Sequence, residues 1–249
     1  MRTRLRTFRP WLVSLLAALA VLVAFAAPTW AIGVLVPRDP GVPPLAIKYH
    51  RVHVELEDGT AVTRIEQVFR NNTDRVLEAT YLVPLPPNAT ITEFALWMNG
   101  ERVTGKVLDR GEARAVYESI VRRMQDPGLI EWVDYTLFQA RVYPIPARGE
   151  QKVELRFTEV LPYEDAVYRY VYPLRTSGQT LQTLEDFTVD VALRSKVPVR
   201  NVYSPTHKVQ VSRTGEHEAR VSFEEEGALL QKDFELLYTV SPKDIGLNL

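Results

Sequence analysis

Along most of this chain apolar and polar residues alternate with a period of two. From Lys48 to Glu57, Val52, Val54 and Leu56 are interleaved with His53, Glu55 and Glu57, and a strand that sends successive side chains to opposite faces turns this into one buried and one wet face. Asp58-Gly59 follows, a dipeptide that supplies a hairpin turn, and it leads into a second such strand from Ala61 to Arg70. The same pattern predicts strands over Val76 to Val83, Thr90 to Met98, Arg102 to Leu108, Leu137 to Tyr143, Val153 to Val160 and Ala166 to Tyr172. It continues over Thr188 to Leu193, Lys208 to Arg213, Ala219 to Glu224 and Phe234 to Val240, with Asn99-Gly100 closing one further hairpin. About a dozen short strands separated by turn signals imply an all-β, sandwich-like fold.

One segment breaks the period. Ala113, Val116, Tyr117, Ile120, Val121 and Met124 recur at the spacing of an amphipathic helix, with Asp109 and Glu112 in capping-box relation and Asp126-Pro127-Gly128 as the stop. The expectation is a single helix packed on a sheet face.

Several short runs, taken in order, resemble the VIT domain, the module named for vault proteins and inter-alpha-trypsin inhibitor heavy chains. They are Ala61 to Thr63 (A-x-T), Phe69 to Asn71 (F-x-N), Glu78 to Tyr81 (E-A-x-Y) and Pro84 to Pro86 (P-L-P). Ala113 with Tyr117 and the run Phe138 to Pro146 (F-x-x-x-V-x-P-I-P) complete them. The resemblance implies a VIT-like domain over residues 47–175 that acts as a non-enzymatic protein-interaction or scaffold module, with 176–249 as a strand-rich connector. In that family the module commonly precedes a von Willebrand A domain carrying D-x-S-x-S, a motif this sequence lacks. A separate von Willebrand A-type protein is therefore the partner the resemblance suggests, and a truncated remnant of such a two-domain adhesion protein is an alternative. The apolar tail over residues 243–249 is expected either to dock on that separate polypeptide or to be a frayed end.

Ahead of the strands, Arg2, Arg4, Arg6 and Arg9 precede a 17-residue apolar run from Trp11 to Ala27, broken only by Ser14, and Ala31 stands as a candidate cleavage position. Residues 1–31 are thus expected to be a signal peptide or, uncleaved, an N-terminal membrane anchor, since a 17-residue helix spans roughly 26 Å. The protein would be exported and sit at the cell envelope, anchored or free in the periplasmic or extracellular space. Residues 32–46 hold Pro37, Pro40, Pro43 and Pro44 and read as an extended tether.

Composition narrows the chemistry. The net charge is −1, and with the four N-terminal arginines set aside 26 basic residues face 31 acidic ones, so no nucleic-acid surface is indicated. Cysteine is absent, which removes disulfides, thiolate catalysis and sulfur-based zinc sites. His50 and His53 lie three apart on one strand and point to opposite faces, while His207 and His217 read as surface residues flanking a turn. No G-x-S-x-G elbow or glycine-rich phosphate loop occurs, and no cofactor, metal or catalytic set is expected. Glu224, Glu225 and Glu226 read as a solvated strand edge, and Asn71 and Asn88 begin short glycosylation-type motifs. Tyr168, Tyr170 and Tyr172 share one strand face. That row is either a binding platform, as in a carbohydrate-binding envelope sandwich, or cross-strand packing inside the fold.

Overall fold

The structure, a computed structural model, describes residues 33–98, 100–104, 136–174, 184–228 and 232–242. Its strands in chain order are β1 (Val34–Pro37), β2 (Ala46–Glu57), β3 (Thr60–Arg70), β4 (Leu77–Leu85), β5 (Thr90–Met98), β6 (Glu101–Thr104), β7 (Thr136–Ile145) and β8 (Glu150–Val160). They continue as β9 (Tyr163–Glu164), β10 (Val167–Tyr172), β11 (Leu184–Arg194), β12 (Val199–Tyr203), β13 (Gln210–Arg213), β14 (Glu218–Ala228) and β15 (Phe234–Val240). Eight of them make one sheet, ordered β13-β14-β11-β2-β3-β8-β5-β6; three make β1-β4-β7 and four make β12-β15-β10-β9.

The two smaller sheets share the inner face of the large one. Phe69 of β3 and Phe94 of β5 meet Tyr81 of β4 at ring-centroid distances of 6.0 Å, and Phe94 meets Phe138 of β7 at 5.2 Å. On the other half, β10 lies over β2 and β3 through its tyrosines, and His207 fills the space between Phe223 of β14 and Phe234 of β15. His207 is therefore half-buried packing material, where the sequence suggested a surface residue.

The expected helix-covered sheet is corrected to an all-β sandwich. Among the described residues there is no helix, and the inner face that a helix would have covered is closed by sheet. The segment on which the helix was expected, 109–126, lies outside the described residues, as do Ala31 with the apolar run before it and the tail 243–249. No helix among the described residues is long and apolar enough to cross a membrane.

Two further differences come from pairing, which periodicity alone does not specify. Val34, Leu35 and Val36, inside the expected tether, form β1 against β4 and are buried. Beyond residue 175, β11 pairs parallel with β2 from Asp186↔Tyr49 to Arg194↔Glu57, so the C-terminal strands extend the same sheet. Pro84 illustrates how proline is tolerated in a middle strand: β1 pairs only with Ala79–Leu82 of β4, leaving Pro84 a neighbour on the β7 side alone. The Asp58-Gly59 hairpin forms as its sequence predicts, with φ of 46° and 80°.

Candidate functional site

The strands β2, β3 and β8 present different chemistry on their two faces. Inward, β10 lays its three tyrosines along β2 and β3. Tyr168 packs against the β2–β3 turn, where a Cβ on Gly59 would come within 2.6 Å of the ring. Glycine at that place thus serves both the positive φ and the close approach. The Tyr170 hydroxyl lies 3.0 Å from Thr63 Oγ1, and the Tyr172 hydroxyl 2.9 Å from His50 Nε2. Tyr170 and Tyr172 are fully covered, and Tyr168 stacks between Tyr163 (4.5 Å) and Tyr238 (4.9 Å). The tyrosine row is interior packing anchored by its hydroxyls, with only its Tyr168 end near solvent.

His50 belongs to a closed chain of neutral groups at the junction of the three sheets. Tyr81 donates to Gln67 Oε1 (2.6 Å), and Gln67 Nε2 donates to the Gly33 carbonyl (3.2 Å) and to His50 Nδ1 (2.8 Å). With Nδ1 accepting, the imidazole carries its proton on Nε2 and offers it to Tyr172. Burial pushes the His50 pKa down to about 3 and raises the Tyr81 and Tyr172 phenols far above their ordinary value. Each polar atom in this chain is answered by another, which fits a structural role better than proton transfer. Gly33 joins it because a Cβ there would lie 2.7 Å from Gln67 Oε1.

Glu159 is the exception on this face. It sits opposite Ala61 of β3, is buried, and one of its carboxyl oxygens has no hydrogen-bond partner; burial pushes its pKa up to about 7.

Outward, the same strands carry a lattice of ion pairs in which part-exposed basic side chains cover the carboxylates Glu66 and Glu154. Lys152 reaches Glu66 (2.6 Å), Arg51 reaches Asp186 (3.2 Å), and Arg64 reaches Glu154 (2.9 Å). Arg102 joins both Glu93 (2.7 Å) and Glu154 (3.1 Å). Burial resists ionisation of Glu66, yet the Lys152 hydrogen bond and charge outweigh it and hold the carboxyl below its usual range. The Trp97 ring lies on this face with Lys152 Nζ 4.4 Å and the Arg102 guanidinium 5.8 Å from its centre. Beside it, Arg64, Glu93, Arg102, Glu154, Leu155 and Arg156 line a depression of about 250 Å³. This face is the part of the molecule best suited to meet a partner, because it is extended, built on rigid strands and uncovered among the described residues.

The remaining residues singled out from the sequence are dispersed. His53 lies on the outer face, 3.7 Å from Asp190, and shares nothing with His50. Glu224, Glu225 and Glu226 are exposed where β13 no longer pairs with β14. Asn71 is fully buried, its amide donating to the carbonyls of Arg75 and Pro146 (2.8 Å each) and its Oδ1 accepting from Thr73, so it ties two turns together and is closed to modification. Among the described residues no group of three or more His, Asp and Glu is placed to hold a metal. Sequence reasoning did not find the outer lattice, since Glu66 faces Glu154 and Arg64 faces Arg156 only through the β3–β8 register. Tyr81 was the one available pointer to the inner chain, as the tyrosine of the E-A-x-Y run.

Residues 47–157 match the family described as "Vault protein inter-alpha-trypsin domain". Similar proteins include von Willebrand factor A domain-containing protein 5A of Mus musculus, 26% identical over 108 residues that cover 42% of this chain and 14% of that protein. Inter-alpha-trypsin inhibitor heavy chain H4 of Homo sapiens is 27% identical over 106 residues, 42% of this chain and 11% of its own length. Protein mono-ADP-ribosyltransferase PARP4 of Mus musculus is 21% identical over 136 residues, 55% of this chain and 7% of that protein. The chain thus spans only a small part of these relatives. A crystal structure of a protein described as nutrient-binding from Legionella pneumophila superposes with a TM-score of 0.58 at 11% identity, covering 86% of this chain and 72% of that one, which shows a shared fold.

Proposed function

Since residues 47–157 are a VIT domain, a module of protein interaction, we propose that this chain is an exported, non-enzymatic scaffold of the cell envelope that holds a partner protein against the open face of its eight-stranded sheet. The observation that carries this reading is the outer lattice of β2, β3, β8 and β5, a broad ordered surface with no covering layer among the described residues. Export is supported by the arginine-rich start and the apolar run from Trp11 to Ala27. A von Willebrand A-type protein is the partner that the relatives' architecture suggests. The carbohydrate-binding alternative loses its platform, because Tyr170 and Tyr172 are interior.

Two measurements test the proposal together. N-terminal sequencing of the fractionated native protein should give a mature start at Ile32, or intact Met1 in the membrane fraction; an intact cytosolic protein would refute export. Crosslinking in the native envelope should join the wild type to a von Willebrand A-type protein, and a variant combining Arg51→Glu with Lys152→Glu should lose that product. Identical crosslinks from both would refute the use of this face.

A further inference from the structure

Building on the reading of the outer face as a partner surface, we propose that the depression around Arg156 receives a carboxylate from an acidic segment of the partner protein. Arg64 and Arg156 are directly opposed across β3 and β8, an arrangement of like charges that costs stability in an antiparallel pair, while on its β5 side Arg156 stands opposite Glu93, whose carboxylate is taken by Arg102. Arg64 is answered from within the chain, through one nitrogen, by Glu154 at 2.9 Å. Arg156 is not: it is exposed, and among the described residues its side chain makes no ion pair or hydrogen bond. The third arginine, Arg102, is taken by Glu93 and Glu154.

Counting the lining groups, three guanidinium groups face two carboxylates, leaving one unit of positive charge in a space of about 250 Å³. That excess matches one carboxylate. A dianion such as phosphate would meet uncompensated repulsion from Glu93 and Glu154, which are fixed at the rim. A carboxylate between Arg156 and the free N–H groups of Arg64 would be held by charge-assisted bonds from two forks, and would relieve the repulsion between them. The Trp97 ring, flanked by Lys152 and Arg102, borders the depression and offers an apolar strip for the neighbouring residues of the acidic segment.

The test uses the full chain and a fluorophore-labelled octaglutamate peptide, read by fluorescence polarisation at low and moderate salt. The wild type and Arg75→Gln, which removes a remote exposed arginine, should bind alike. Arg156→Gln should bind roughly tenfold more weakly, the loss expected for one charge-assisted contact, while neither variant should melt below the wild type, because Arg156→Gln removes a like-charge repulsion. Acetate should displace the peptide at lower concentration than inorganic phosphate does. The proposal is overturned if the wild type does not bind octaglutamate, if Arg75→Gln and Arg156→Gln weaken binding equally, or if phosphate is the better competitor. Partner crosslinking that survives Arg156→Gln but not the paired Arg51→Glu and Lys152→Glu change would remove this site while leaving the partner surface intact.

Discussion

Inward from β2, β3 and β8 the polar groups are buried and, Glu159 apart, neutral and engaged by a fixed neighbour, as in the chain Tyr81, Gln67, His50, Tyr172. Outward from the same strands they form ion pairs whose basic ends are part-exposed and whose acidic ends are shared, as the covered Glu154 is among Arg64, Arg102 and Lys152. One backbone with a period of two thus carries a rigid interior and an adjustable surface. Hydrogen bonds between neutral groups need no counter-ion in a low-dielectric core, whereas solvent screens the outer pairs to within about 1 kcal/mol each. The difference teaches that the inner face is built for stability, and it is the outer face to which we assign the partner.

The largest expected effect breaks the inner side. Tyr81→Ala removes a ring that touches Phe69, Phe94 and Phe138 and strands the Gln67 carbonyl oxygen; a loss of about 3 to 5 kcal/mol in urea unfolding is expected. The mirror change outside, Arg51→Ala, which removes a pair part-exposed at both ends, should cost at most about 1 kcal/mol and less in high salt. Equal losses would erase the distinction between the faces.

Glu159 sharpens it next. Its folded pKa of about 7 stands above the ordinary 4.5, so the folded state holds the proton more tightly; the stability this supplies is complete below about pH 4.5 and is lost as pH rises through 7. Glu159→Gln keeps the neutral shape and should stabilise the protein at pH 8 by about 2 to 3 kcal/mol, with little gain at pH 5. Melting curves at the two pH values check this, and a gain that does not depend on pH would contradict it.

His50 runs the other way. With a folded pKa of about 3 against an ordinary 6.5, its contribution is whole above about pH 6.5 and falls as acid protonates the unfolded chain first. At pH 5 that loss amounts to about 2 kcal/mol. The unfolding free energy of His50→Gln should therefore change less between pH 7 and pH 5 than that of the wild type, and an equal change would contradict this.

The strands were legible because alternation survives in β2, β3, β5 and β15, whose limits match or nearly match the pattern. Short strands without it, β1 and β9, were not, and β12 was missed beside its proline. The sandwich could be inferred, but not the parallel junction of β2 with β11, a contact across more than a hundred residues that no local pattern encodes. The tyrosine row was seen and its two readings kept open; only the position of β10 over Thr63 and His50 decides for packing. The candidate site was illegible for a related reason. Arg156 looks like any strand arginine until register sets it against Arg64.

The most direct test of the division between the faces pairs one variant from each in the same buffer, with both thermal stability and octaglutamate affinity measured. Tyr81→Phe, which deletes only the hydroxyl donated to Gln67, should lower stability by about 1 to 3 kcal/mol and leave affinity unchanged. Arg156→Gln should not lower stability and should weaken binding roughly tenfold. Loss of affinity in Tyr81→Phe while the protein remains folded, or loss of stability without loss of affinity in Arg156→Gln, would contradict the account.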